Sequence, residues 1–195
     1  MYKKIIKRIM DITISIVALP FFLLVSIPIA IAIKLDDGGS VFYISERYGI
    51  HMKKFGMIKF RTMKMNAPDI RNKDGSTFNS ATDRRLTKIG GVLRKTSLDE
   101  LPQLINVLIG DMSLIGPRPS PMGNEATYTK YIKKKFEVKP GVTGYNQALL
   151  RNTATLEERY SNDVYYSEHV TFLFDIKIFF MTIKSVLRRQ NIYNS

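Results

Sequence analysis

The sequence predicts an α+β fold, mainly helical with a small β-hairpin, carried on an N-terminal helix that enters a membrane. Three observations lead there. Ile12 to Ile33 is a run of 22 residues without a charge. Two short β-favouring runs, Val41–Ile44 and Phe55–Met63, flank Arg47-Tyr48-Gly49. Further on, Leu98, Leu101, Leu104, Ile105 and Leu108 recur at the three- and four-residue spacing of a helix face. The organisation that follows is a membrane-inserted part, residues 1–40, and a membrane-associated domain, residues 41–195.

Composition narrows the chemistry. The chain has 195 residues, with 30 Lys+Arg against 17 Asp+Glu and a net charge of +13. No Cys is present, which excludes a disulfide scaffold, a thiolate metal site and a thiol nucleophile. His51 and His169 are the only histidines, too few for a His-rich metal site, and they are most simply surface residues. The charge calls for anionic partners: nucleic acid, phosphorylated small molecules or an acidic membrane surface.

At about 1.5 Å rise per residue, the apolar run makes roughly 33 Å of helix, enough for a hydrocarbon core of about 30 Å. Pro20 and Pro28 lie within it, and each removes a backbone donor, so a kink is expected. Positive charge flanks both ends: Lys3, Lys4, Lys7 and Arg8 before, Arg47, Lys53, Lys54, Lys59, Arg61 and Lys64 after. Cytoplasmic flanks are the ones enriched in Lys and Arg. A re-entrant helix that dips into one leaflet and returns satisfies both flanks.

The remaining elements follow in order. The runs around Arg47 read as a hairpin, and polar residues 66–85 as a mobile loop. Short helices are expected over Lys88–Lys95 and Leu98–Ile109, then a loop over Gly110–Pro121. A basic helix over Tyr128–Phe136 and helices over Glu157–Tyr166 and Phe172–Arg189 complete the chain. In the last helix Lys177, Lys184 and Arg188 share one face beside Phe174, Ile178 and Met181. That pattern suits either an amphipathic helix in a membrane interface or one packed on the protein's own core.

The chemistry centres on Ser97-Leu98-Asp99-Glu100-Leu101-Pro102. One reading is purely structural: Ser97 and Glu100 form a capping box, and Asp99 complements the helix dipole. The other uses the same geometry for catalysis. A helix N-terminus attracts phosphate, and two adjacent carboxylates can divide labour, one as nucleophile and one on a divalent metal. The neighbours favour the second reading. Arg94 and Lys95 precede the pair, and Gly116-Pro117-Arg118-Pro119 presents an arginine, whose planar fork suits phosphate, on a rigid turn.

Asp83–Gly90, Leu93–Leu104, Asn106-Val107-Leu108, Gly110-Asp111-Met112-Ser113 and Gly116–Pro119 together resemble the bacterial sugar transferases, the monotopic phosphoglycosyl transferases. Lys7-Arg8 with Asp11, Lys59–Met63, Pro140–Gly144, Gln147, Arg151-Asn152 and Asp163–Tyr166 extend the likeness over nearly the whole chain. The resemblance implies transfer of a sugar phosphate from a UDP-sugar to undecaprenyl phosphate, with Mg²⁺ required and UMP released. It maps the nucleophile onto Asp99, which would carry a covalent phosphosugar, and metal binding onto Glu100 beside Asp99. Arg94 and Arg118, with Pro117 and Pro119 around the latter, would hold phosphate, with Lys59 nearby. It implies a monotopic enzyme on the cytoplasmic face of the bacterial inner membrane, in contact with phospholipid. Family members commonly carry adjacent Ser-Pro at the helix break; here Ile27 separates Ser26 from Pro28, so the bend is expected elsewhere or shared between the two prolines.

Asp175 matches an acidic position late in the family, and either assists substrate or metal binding or pairs with a lysine. Gln147, Arg151 and Asn152 either contact the nucleotide sugar or are simply solvated. A nucleic-acid-binding protein also accounts for the charge, but no recognition helix, aromatic RNA-binding pattern or zinc spacing is present, and the apolar run stays unexplained. A non-catalytic membrane scaffold leaves the acidic pair among arginines without a role.

Overall fold

The computed structural model describes residues 1–72, 78, 80, 82–150 and 153–187. Part of the loop expected at 66–85, the Arg151-Asn152 pair and Arg188 of the basic stripe lie outside the described residues.

A π-helical turn, Tyr2–Ile6, leads into α1, Lys7–Asp37, which is helical through both Pro20 and Pro28. It ends at Gly38, whose φ of 72° places it in the left-handed region where glycine is unstrained. Asp11, Ser15, Phe22, Ile29 and Ile33 are its buried residues, spaced by four and seven and so on one stripe. Phe22, Ile29 and Ile33 pack with Phe60 and Leu93. The rest of the helix is apolar but uncovered: Val17, Phe21, Leu24, Ile27 and Leu35 are all exposed. The helix is long and apolar enough to cross a membrane, and only 17% of its most apolar window is buried.

Both ends of α1 dock on the same body. Near its start, Lys7 pairs with Asp175 at 2.6 Å, Arg8 donates to the carbonyls of Val107 and Leu108, and Asp11 accepts from Leu114 N. Near its end, Asp36 accepts from Ile89 N, and Asp37 pairs with Arg61 at 2.5 Å.

The hairpin is present: β1, Phe42–Tyr48, pairs antiparallel with β2, Lys54–Phe60, from Phe42 opposite Phe60 to Tyr48 opposite Lys54. Arg47 and Tyr48 belong to the strand, and the reversal lies over residues 49–53, where His51 and Met52 take positive φ. The chain continues through α2, Lys88–Thr96, and α3, Gln103–Ile109. The stretch from Gly110 to Pro121, expected as loop, contains β3, Ser113–Ile115, and β4, Ser120–Pro121. β4 adds to the free edge of β1; β3 pairs in parallel with β5, Gly141–Thr143. Three-residue strands carry too little periodicity to be read locally.

The basic helix is shorter than expected: α4, Lys130–Lys133, passes into a 3₁₀ turn over Lys134–Glu137. After α5, Tyr145–Leu149, comes α6, Leu156–Glu168, opened by a capping box between Thr155 and Glu158. Last is α7, Phe172–Leu187, which buries Asp175 and Ile178 and exposes Leu173, Phe179, Phe180 and Ile183.

Candidate active site

The acidic pair sits on a turn that differs from the expected helix start. α2 ends at Thr96, and Ser97 takes a left-handed φ of 60°. The chain then reverses into a 3₁₀ turn, Leu98–Glu100, before Pro102 and α3. Ser97 makes no side-chain capping bond and Glu100 points elsewhere, so the capping box does not form. Pro102, lacking an N–H, sits where α3 begins and separates the turn from the helix. Leu98, Leu101, Leu104 and Ile105 pack on the cluster of Phe22, Phe60 and Leu93, which anchors the turn on both sides of the pair.

Two cations from distant parts of the chain converge on Glu100. Lys59 of β2 donates from Nζ to Glu100 Oε1 at 2.6 Å. Arg118 donates from a terminal nitrogen to the same oxygen at 3.2 Å. Asn106 of α3 makes this possible by accepting from Ile58 N and donating to Gly56 O, at 2.9 and 2.8 Å, which locks α3 onto β2. Arg94 donates through Nε to Thr62 Oγ1 at 3.1 Å. The approach of α2 there needs Gly90, because a Cβ would lie 1.9 Å from the Thr62 carbonyl oxygen.

The Pro117-Arg118-Pro119 turn is braced from several directions. Pro117 accepts from Gly141 N at 2.9 Å, and Ser120 joins the ladder opposite Tyr48. Lys135 donates to Arg118 O at 3.2 Å while pairing with Asp163 at 2.5 Å, with both side chains no more than 3% exposed. Arg118 itself keeps 39% of its side chain open to solvent.

The two carboxylates end up in opposite states. Burial pushes Asp99 up to about 6 against the pull of Lys59, Arg94 and Arg118, and the neighbouring Glu100 charge adds to the rise. Burial raises Glu100 as well, but Lys59 and Arg118 outweigh it and bring the group down to about 2. Glu100 is therefore a fixed negative charge, while Asp99 is a buried carboxylate of raised basicity.

Asp99, Glu100, Lys59, Arg94 and Arg118 thus come together. Asp175 does not join them: it accepts from Tyr2 and Lys7 through one oxygen and from Tyr166 through the other, so its partners are a lysine and two tyrosines. Gln147 lies on α5 beside Gly144, and its amide is buried without a partner among the described residues. Arg151 lies outside the described residues. Sequence reading took Asn106 and Asp163 only as part of the family likeness and gave no site role to Lys135 or Arg47, because the partners of these residues are distant in sequence.

A buried carboxylate thus stands beside an ionised one, ringed by cations, on a body that carries an uncovered apolar helix. The chain matches the bacterial sugar transferase family over residues 2–189, and it belongs to that family. An uncharacterized sugar transferase of Bacillus subtilis is 39% identical over 188 residues, covering 96% of this chain and 90% of the relative. The undecaprenyl-phosphate galactose phosphotransferase of Salmonella typhimurium is 38% identical, covering 97% of this chain and 42% of the relative. The UDP-glucose:undecaprenyl-phosphate glucose-1-phosphate transferase of Escherichia coli is 39% identical, covering 92% of this chain and 40% of the relative. The chain therefore spans less than half the length of these last two.

Proposed function

We propose that this protein transfers a sugar phosphate from a UDP-sugar to undecaprenyl phosphate, the first membrane step of bacterial glycoconjugate synthesis. The observation that carries the reading is the division between adjacent carboxylates, Asp99 buried and basic, Glu100 held ionised by Lys59 and Arg118.

An Asp99 oxygen attacks the phosphorus bonded to the sugar. The bond from that phosphorus to the bridging oxygen breaks, and UMP leaves with the electron pair. The result is an aspartyl phosphosugar. An oxygen of the lipid phosphate then attacks the same phosphorus, the bond to Asp99 breaks, and the carboxylate is regenerated. Arg94, Arg118 and Lys59 bind the phosphate oxygens, with Pro117 and Pro119 holding Arg118 in place.

Among the described residues no cluster of three or more His, Asp or Glu forms a metal cage. Adjacent Asp99 and Glu100 fit the mode in which Mg²⁺ takes one or two carboxylates and completes its shell with substrate phosphates. Glu100, with Asp99 beside it, would hold the ion, which when bound neutralises the diphosphate charge. Activity is expected to vanish in excess EDTA and to return with Mg²⁺.

The same reading places the enzyme on the cytoplasmic face of the inner membrane, where UDP-sugars are available. The uncovered side chains of α1 and α7 enter lipid, each large one gaining about 1.5–3 kcal/mol on leaving water. Docking of both α1 ends on the catalytic body supports a monotopic arrangement. The deciding experiment is UMP release across a panel of UDP-sugars, with and without undecaprenyl phosphate. Release with no member of the panel, from folded protein in a lipid environment, would refute the reading.

A further inference from the structure

Arg47 is a cation near Arg118 to which the proposed reaction gives no role. No hydrogen bond or ion pair reaches its guanidinium among the described residues, and its Nε is buried without a partner. Arg47 is half-buried, and its Nε, shut away from water without a partner, is a donor whose lost hydration nothing in the protein replaces.

The β1–β2 register says which way Arg47 faces. Tyr43, Ser45 and Arg47 alternate onto one face of β1, and their cross-strand partners Lys59, Met57 and Phe55 share that face. Arg47 therefore shares a face of the hairpin with Lys59, the residue that holds Glu100. The Pro121 of β4 lies opposite Arg47, three residues beyond Arg118. Burial and repulsion from Arg118 bring Arg47 down to about 10, so Arg47 remains charged at neutral pH; Arg118 is paired with Glu100, whereas Arg47 has no such partner among the described residues. The carboxylate that bears on Arg47, Asp69, is already taken by Arg71 at 2.8 Å.

We propose that Arg47 is a substrate-binding residue that, with Arg118, clamps one phosphate group between two guanidiniums. The inference rests on the reaction proposed above and adds a binding residue to it. The phosphate belongs either to the nucleotide sugar's diphosphate or to the lipid phosphate, and the two sources are separable.

The test uses the full chain in detergent micelles, with Arg47→Gln and Arg47→Lys. Inorganic pyrophosphate binding is measured by titration calorimetry, and KM is measured separately for UDP-sugar and undecaprenyl phosphate. Arg47→Gln is expected to weaken pyrophosphate binding about ten- to hundred-fold, with Arg47→Lys in between. Its melting temperature should not fall, because the side chain has no partner within the protein. A raised KM for UDP-sugar alone assigns the clamp to the diphosphate; a raised KM for the lipid alone assigns it to the lipid phosphate. Unchanged affinity for all three, failure of the native chain to bind pyrophosphate, or loss of folding in both variants overturns the proposal. If UMP release persists with unchanged affinities, the clamp fails and the reaction stands. If pyrophosphate binding depends on Arg47 but no UDP-sugar reacts, the clamp stands and the reaction fails.

Discussion

Lys59 Nζ donates to Glu100 Oε1 at 2.6 Å, while Asp99, one residue earlier, accepts no hydrogen bond among the described residues. Two carboxylates adjacent in sequence are thereby separated in proton affinity: burial raises Asp99, while the hydrogen bonds of Lys59 and Arg118 hold Glu100 ionised. The paired one stays ionised, and the unpaired one becomes the better base and nucleophile. The predictions below follow from that asymmetry and from the contacts that maintain it.

Asp99 holds its proton near 6 in the folded chain against 3.8 ordinarily. A folded-state affinity raised above the unfolded one means that stability falls as pH rises from about 4 to about 6 and stays lower beyond. Asp99→Asn removes that cost. At pH 7.5 it should be as stable as the native chain or more so, by up to about 3 kcal/mol, while turnover drops to background. Urea unfolding and UMP release read the two effects, and a folded variant with substantial turnover would rule out Asp99 as nucleophile.

The acid limb of activity should follow the same group. In the proposed reaction attack requires ionised Asp99, so kcat/KM for UDP-sugar should fall as pH drops through about 6. Lys59 favours the ionised form, and Lys59→Met should move the limb upward by about one pH unit or more, with lower maximal activity. A limb that stays put in Lys59→Met would mean that another group sets it.

Lys135 and Asp163 form an ion pair at 2.5 Å with side chains 3% and 1% exposed. Lys135→Met strands the Asp163 charge and should cost about 3–5 kcal/mol in urea unfolding. Pairing it with Asp163→Leu should restore most of that stability. The bond from Lys135 to Arg118 O stays lost, so the double variant should keep a raised KM for UDP-sugar. A single-variant cost below about 1 kcal/mol, the range of an exposed pair, would contradict this account.

Topology can be read with single cysteines, since the chain has none of its own. Lys4 and Ser40 are exposed and lie beyond the two ends of the apolar run. Lys4→Cys and Ser40→Cys should both resist an impermeant maleimide in intact cells and both react after permeabilisation. Labelling of Lys4→Cys from outside would make α1 a spanning helix.

Much was determined by the sequence alone. The uncharged run from Ile12 to Ile33, the hairpin and the helices around residues 90, 160 and 180 follow from composition and periodicity, which act locally. So does the candidate chemistry, because an acidic pair close in sequence to arginines is already a local signal. The tertiary structure decided the rest. The three- and four-residue spacing from Leu98 to Leu108 suggested one helix, but Ser97 in a left-handed conformation and Pro102 divide it into a turn and α3. Lys59 and Arg118, 41 and 18 residues from Glu100, could take Glu100 out of a capping box only once α3 had docked on β2 through Asn106. Asp175 joined Lys7 and two tyrosines for the same reason, as did Lys135 with Asp163. Periodicity records which face of an element is apolar. Proton affinity and charge pairing depend on which distant side chains that burial brings within reach.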